Sequence, residues 1–194
     1  MNKKIVLSAT LFIVLLVAIP LVMTMLFSRQ TSGGKIEIDQ EINAPYLNPL
    51  KKKYTLVFFG YVGCTRVCTP ILHQLAELYD SNAFQPLKPY VGVSFVNLMP
   101  ELSPDQPQIF AHSFNPDFEG IFLTQKELMG VDRSFNLFFS KSLIEKGEID
   151  HSDSIYLLYR GKDGKIILKR IYSTHPLDQV KIIEDIKQCI KELP

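Results

Sequence analysis

The stretch YTLVFFGYVGCTRVCTP, Tyr54 to Pro70, decides the fold. Its apolar run, Leu56, Val57, Phe58 and Phe59, reads as a buried strand that ends at Gly60 and turns into a segment holding Cys64 and Cys68. From Cys68 onward Ile71, Leu72, Leu75, Ala76 and Leu78 recur at helical spacing, with His73, Gln74 and Glu77 on the opposite, wet face. Two thiols therefore sit where a strand hands over to a helix. There the first helical N–H groups are unpaired and the macrodipole is positive, which favours thiolate over thiol. Arg66 adds a charge of the same sign. The plain alternative is a pair of buried structural cysteines.

Downstream, Tyr90 to Val96 reads as a second apolar strand, and Ser103, Pro104 and Gln106 carry the signature of a capped helix start. His112 falls near the end of that helix and reads as a surface or half-buried residue. Ile121 to Leu123 is a short strand, after which Thr124 and Glu127 form a second capping box for a helix carrying Leu128, Val131 and Phe135. Strand and helix thus alternate three times. His151, in EIDHSDS (Glu148 to Ser154), precedes the strand Ile155 to Tyr159, which turns through Gly161 to Gly164 and pairs with Ile166 to Tyr172 as a hairpin. Pro176 opens a final amphipathic helix to about Leu193. Cys189 lies on its apolar stripe with Ile183, Ile186 and Ile190, a core position. The expectation is an α/β domain with a mixed central sheet flanked by helices.

Upstream, Lys35 to Asp39 reads as an edge strand, and the segment to Leu50, with Pro45 and Pro49, as irregular. Arg29 to Gly34 is a polar tether. Ile5 to Phe27 is a stretch of 23 residues without a charge, preceded by Lys3 and Lys4. It exceeds the ~20 residues that span a bilayer and is longer than a signal-peptide core. The expected organisation is a transmembrane anchor over 1–28, a tether and edge segment over 29–50, and the α/β domain over 51–194. The expected location is a bacterial inner membrane, single-pass, with the domain in the periplasm. A net charge of +1 gives no footprint for nucleic acid; Lys51, Lys52 and Lys53 form a solvated edge or a dock for an acidic partner.

Cys64 and Cys68 are separated by three residues, where the thioredoxin-like redox motif has two. Two thiolates and an imidazole make a soft, low-coordination set suited to copper; a structural zinc site wants four protein ligands, and three can be named. The spacing alone fits a metal site, a redox pair or neither.

FFGYVGCTRVC, FNPDFEGIFLT and DHSDSIYLL resemble segments of the Sco/SenC family, thioredoxin-fold, membrane-anchored copper-binding factors of cytochrome c oxidase assembly. The likeness runs from about Tyr54 to Tyr172. It implies a thioredoxin-like fold, a Cu(I) or Cu(II) ion held by Cys64, Cys68 and His151, and as partners a copper-containing subunit of a terminal oxidase and another copper chaperone or a thiol reductant. His151 takes the place of the proline loop that faces the cysteines in thioredoxin. The chain departs from the family in having Thr65 and Thr69 after the cysteines, where proline is usual, and Arg66 and Val67 between them, where an aspartate is usual. Asn97, Leu98, Met99 and Pro100 replace an acidic stretch, and Met99 reads as an ordinary loop methionine before a soft ligand. Two functions compete: a copper metallochaperone, and a thiol–disulfide oxidoreductase acting through Cys64 and Cys68 that keeps partner cysteines reduced.

Overall fold

The computed structural model describes residues 34–47, 50–143 and 148–192, with Phe12, Val14, Leu16, Ala18 and Ile19 as helical positions upstream. The chain divides into two units, Met1–Ile36 and Glu37–Pro194. Most of the Ile5 to Phe27 stretch lies outside the described residues, and among the described residues no helix is long and apolar enough to cross a membrane.

In chain order the elements are β1 (Lys35–Ile42), β2 (Tyr54–Gly60), α1 (Cys68–Asp80), β3 (Val91–Asn97), α2 (Gln106–His112), β4 (Glu119–Ile121), α3 (Gln125–Phe135), β5 (Phe139–Lys141), β6 (Ile149–His151), β7 (Ile155–Arg160), β8 (Ile166–Tyr172) and α4 (Gln179–Lys191). Six strands form one sheet in the order β1-β8-β7-β2-β3-β4. β2 is parallel to β3 and antiparallel to β7, so the sheet is mixed.

Every residue of β2 is buried, because both faces of this central strand are covered. Tyr54, Leu56 and Phe58 pack on one side with Leu72 and Leu75 of α1 and Ile182 and Ile186 of α4. Val57 and Phe59 pack on the other with Val131 and Phe135 of α3 and with Ile42, Tyr46 and Leu47. The core thus draws on residues ahead of Lys51. At α3 the expected capping box is present: Thr124 N–H donates to Glu127 Oε2 at 2.8 Å, and Glu127 N–H to Thr124 Oγ1 at 3.3 Å.

Two expectations are corrected. α2 begins at Gln106, not at a Ser103 cap: Ser103 Oγ spends its proton on the Asp105 carboxylate, and Pro107 occupies the first turn in place of Pro104. α4 begins at Gln179 rather than Pro176, because the Asp178 carboxylate accepts the Lys181 N–H at 3.0 Å and sets the cap. The sequence assigns no element to His151 itself; it ends β6, which pairs with β5 in a separate two-stranded sheet. Strands of three residues are too short to show a period of two.

Candidate metal centre

β2 delivers the chain to a tight turn at the sheet's carboxyl edge. The Cys64 N–H donates to the Tyr61 carbonyl at 3.2 Å, and both the N–H and the hydroxyl of Thr69 donate to the Cys64 carbonyl, at 3.2 and 2.9 Å. Gly63 takes φ +91, a conformation that side chains disfavour. Gly60 is required for space: a Cβ there would stand 2.6 Å from Cys68 Sγ. Asn97, fully buried at the end of β3, ties this turn to its neighbour: its Oδ1 accepts from Val62 N–H at 3.2 Å and its Nδ2 donates to the Met99 carbonyl at 2.6 Å.

Cys68 opens α1, preceded by Val67, which has no side chain able to cap the helix. Cys64 Sγ fills that role, accepting the Cys68 N–H at 3.3 Å. The third donor arrives on β6, 83 residues further along the chain than Cys68. His151 Nδ1–H donates to the Ser152 carbonyl at 2.9 Å, which leaves Nε2 as the lone-pair nitrogen, 3.5 Å from Cys68 Sγ. Edge contacts with Tyr61 and Phe58 hold the ring, at centroid distances of 5.9 and 6.1 Å.

The donor atoms of Cys64, Cys68 and His151 all lie within 4.8 Å of one another. Metal–sulfur and metal–imidazole bonds are about 2.3 and 2.0 Å, so one ion could bridge the three with small movement. Cys64 and His151 line a cleft of about 210 Å³ together with Tyr61, Arg66 and Asp150, while Cys68 is fully buried behind them. One buried sulfur borders the cleft and the other faces the core.

The electrostatics follow that asymmetry. Cys64 is lowered to about 4, chiefly by the hydrogen bond from the Cys68 thiol, against burial and with help from His151 and the N–H groups of Cys68 and Val67. Cys68 is pushed the other way, first by its bond to Cys64 and then by burial. The sequence offers the helix N-terminus and Arg66 as lowering influences on both thiols; in the structure the N-terminal N–H groups help to lower Cys64, the largest effect comes from the Cys68 thiol, and Cys68 itself is raised. Burial pulls the His151 imidazole down, but the Cys64 hydrogen bond, the Ser152 carbonyl and the nearby Asp153 leave it above its ordinary value.

The other candidates lie elsewhere. His73 is exposed, with its ring against Phe114, and His112 is exposed and bonded to Gln108 Nε2 at 2.6 Å. Cys189 is buried in the core, its carbonyl accepting from Tyr54 OH at 2.7 Å. Met99 packs against the core. Asp153, 3.3 Å from His175 Nε2, was not singled out by the sequence, where no spacing links positions 153 and 175.

A protein-family model, SCO1/SenC, matches residues 38–191. The mouse protein called "Protein SCO1 homolog, mitochondrial" is 25% identical over 145 residues, covering 73% of this chain and 48% of its own. The chain spans about half the length of that relative. Among solved structures, Bradyrhizobium japonicum ScoI with copper bound is 27% identical with a TM-score of 0.58, covering 72% of this chain and 87% of its own. BsSco, described with a disulfide switch and as a member of the Sco family of cytochrome c oxidase assembly proteins, shares the fold at 20% identity and a TM-score of 0.56, over 81% of this chain and 99% of its own.

Proposed function

Because this chain belongs to the SCO1/SenC family, we propose that it is a copper metallochaperone whose Cys64, Cys68 and His151 hold one ion for delivery to a copper-containing subunit of a terminal oxidase. The observation that carries the reading is the convergence of two sulfurs and one imidazole nitrogen within 4.8 Å, a soft donor set of the kind Cu(I) prefers. The ScoI structure with copper bound supports the choice of metal. A membrane anchor over 1–28, with the domain in the periplasm, belongs to this reading and would hold the site beside a membrane oxidase.

The geometry suits a carrier. Copper is cargo here, and three ligands leave room for a fourth to approach through the cleft. Cys64, on the cleft side, is the ligand an incoming thiolate displaces; one metal–sulfur bond forms as another breaks, and no electron moves. Cys68, fully buried behind the cleft, is the ligand released last. Loading requires the Cys68 proton to leave, whereas Cys64 is already a thiolate at neutral pH.

A second reading rests on a specific observation, the low-lying Cys64 thiol facing the cleft with Cys68 directly behind it. In that reading Cys64 attacks a partner disulfide, expelling one partner thiolate and forming a mixed disulfide. Cys68 then loses its proton and attacks Cys64 Sγ, releasing the partner's second sulfur. The partner gains two thiols and the chain gains a Cys64–Cys68 disulfide. Anaerobic Cu(I) titration of the reduced full chain against a competing chelator, beside His151→Ala, separates the two. Binding near one copper per chain that weakens in the variant supports the chaperone. No binding, with reversible disulfide formation intact, supports the oxidoreductase.

A further inference from the structure

A groove of about 710 Å³, mostly apolar, lies beside the metal cleft. One wall is the loop 98–102 that follows β3, and the other is the run 139–142 that contains β5. A strand face lines a groove with alternate residues; here consecutive residues line both walls, so main chain as well as side chains meets the space.

The pairing of β5 shows which main-chain groups these are. Ser142 N–H donates to the Glu148 carbonyl and Ser152 N–H to the Phe138 carbonyl, each at 2.9 Å. In this antiparallel ladder residues 138, 140 and 142 therefore turn toward β6, while the N–H and C=O groups of Phe139 and Lys141 turn away from it. The small sheet holds only β5 and β6, so among the described residues no strand covers that outer edge. Leu143, 99% exposed, adds an apolar side chain immediately after this wall. An open edge beside an apolar groove is a template for adding a strand.

The groove and the metal cleft share a wall. Glu148 and Ile149 line both, and Ile149 stands two residues before His151 on β6, about 7 Å at strand rise. A segment lying in the groove therefore ends at the opening through which Cys64 is reached. The charges sort the occupants: Glu101, Glu148 and Asp150 outnumber Lys141 and Arg66 around the two spaces, which disfavours an acidic segment. We propose that the outer edge of β5 docks an extended, apolar, neutral to weakly basic segment of the protein with which the chain exchanges its metal, aligned so that a thiol or thioether at its end enters the cleft. The inference rests on the metallochaperone reading. It adds the element that brings the partner's ligand to Cys64: main-chain hydrogen bonds to Phe139 and Lys141, with alternate side chains on Leu98, Met99 and Leu128.

The test uses the reduced full chain in detergent micelles, without metal and loaded with Cu(I), and as probe a synthetic peptide of alternating Thr and Val ending in Gly-Cys. A second probe is the same peptide N-methylated at alternate amides, which keeps the side chains and removes the strand's donors. Binding that slows hydrogen exchange at the Phe139 and Lys141 amides, and that falls tenfold or more with the methylated probe, supports the inference. Lys141→Pro removes one outward donor and leaves the β6 ladder intact; it should weaken the peptide about fivefold or more, where Lys141→Ala does not. Copper transfer to the peptide should slow in parallel, with Cu(I) loading of Lys141→Pro reporting that the site is whole. Equal binding of both peptides, no protection at the edge, or protection produced by a second copy of the chain in place of the peptide would overturn the docking site. Those outcomes leave the metallochaperone reading standing if the three-ligand site binds Cu(I). Failure of Cu(I) to bind would instead remove that reading, whatever the peptides do.

Discussion

The two halves of the candidate metal centre are built differently. Cys64 and Cys68 hang on β2 and α1, whose side chains fill the core, and the two thiols are 3% and 0% exposed. His151 hangs on a hairpin of two three-residue strands, in which Ser140, Lys141 and Asp150 are exposed. One half is held by the whole fold, the other by a few local hydrogen bonds, Ser152 N–H to Phe138, Ser142 N–H to Glu148 and His151 to Ser152, and by the partly buried Phe139 and Ile149 against the core. The pair of sulfurs is thus more deeply anchored than the imidazole. That division fits the proposed task, since a carrier must bind and then let go.

The sharpest way to break the comparison is at Gly60. In Gly60→Ala the new methyl would stand 2.6 Å from Cys68 Sγ and 3.2 Å from the Phe58 and Phe95 rings, all within the rigid half. Stability should fall by about 1–3 kcal/mol and Cu(I) affinity should fall with it, because nothing there can move alone. Denaturant melts and metal titration on the same sample check the coupling; normal affinity in a destabilised protein would mean that the thiol half is less constrained than its packing indicates. His151→Ala is the complementary cut. It should change stability by less than about 1 kcal/mol yet lower Cu(I) affinity by more than the roughly 10- to 100-fold typical of a ligand's hydrogen-bonding partner, since it removes a ligand outright. A large stability loss would show that the hairpin is an integral part of the core.

A third measurement compares the two thiols within the rigid half. In the reduced, metal-free chain, thiolate ultraviolet absorbance should show a step near pH 4 from Cys64, and Cys68 should stay protonated above the ordinary cysteine range. The sign follows from sharing one proton: once Cys64 is ionised, Cys68 donates to it, so removing that proton costs a hydrogen bond and places a second charge beside the first. Cys64→Ser should abolish the low step and bring Cys68 down. Two thiols titrating together near their ordinary value would overturn the asymmetry.

How much of this was legible in the sequence divides along the same line. β2, α1, β3 and the β7–β8 hairpin are readable because buried strands and amphipathic helices carry long apolar patterns, and Cys64 and Cys68 fall at a boundary those patterns define. The Thr124–Glu127 cap is readable because its chemistry is local. Where two local signals compete, as at Ser103 against Asp105 and Pro176 against Asp178, side-chain hydrogen bonds chose the later start. The β5–β6 hairpin leaves almost no trace, since its strands are short and half exposed, and with it went the main-chain setting of His151 and the groove beside it. His151 itself entered through resemblance to a family, not through spacing. The opposite behaviour of the two thiols depends on which sulfur donates to the other, which no sequence pattern records.

The finest difference lies between His151 and its own surroundings. Asp153, two residues on, raises the imidazole through its charge and also stands 3.3 Å from His175, which joins the segment after β6 to the segment before α4. Asp153→Asn keeps the shape and removes the charge. In the metal-free chain the His151 ring-proton titration should then move to lower pH, though it should not return fully to the ordinary value, because the Cys64 hydrogen bond and the Ser152 carbonyl remain. Cu(I) affinity at neutral pH should change by less than about tenfold, as expected of a group that acts on a ligand through space. If the His151 titration does not move, Asp153 serves the joint between segments and the imidazole is set by Cys64 and Ser152 alone. If it moves, the carboxylate that contacts the segment before α4 also tunes the imidazole, and His151 is less independent of the fold than its half-exposed strands indicate.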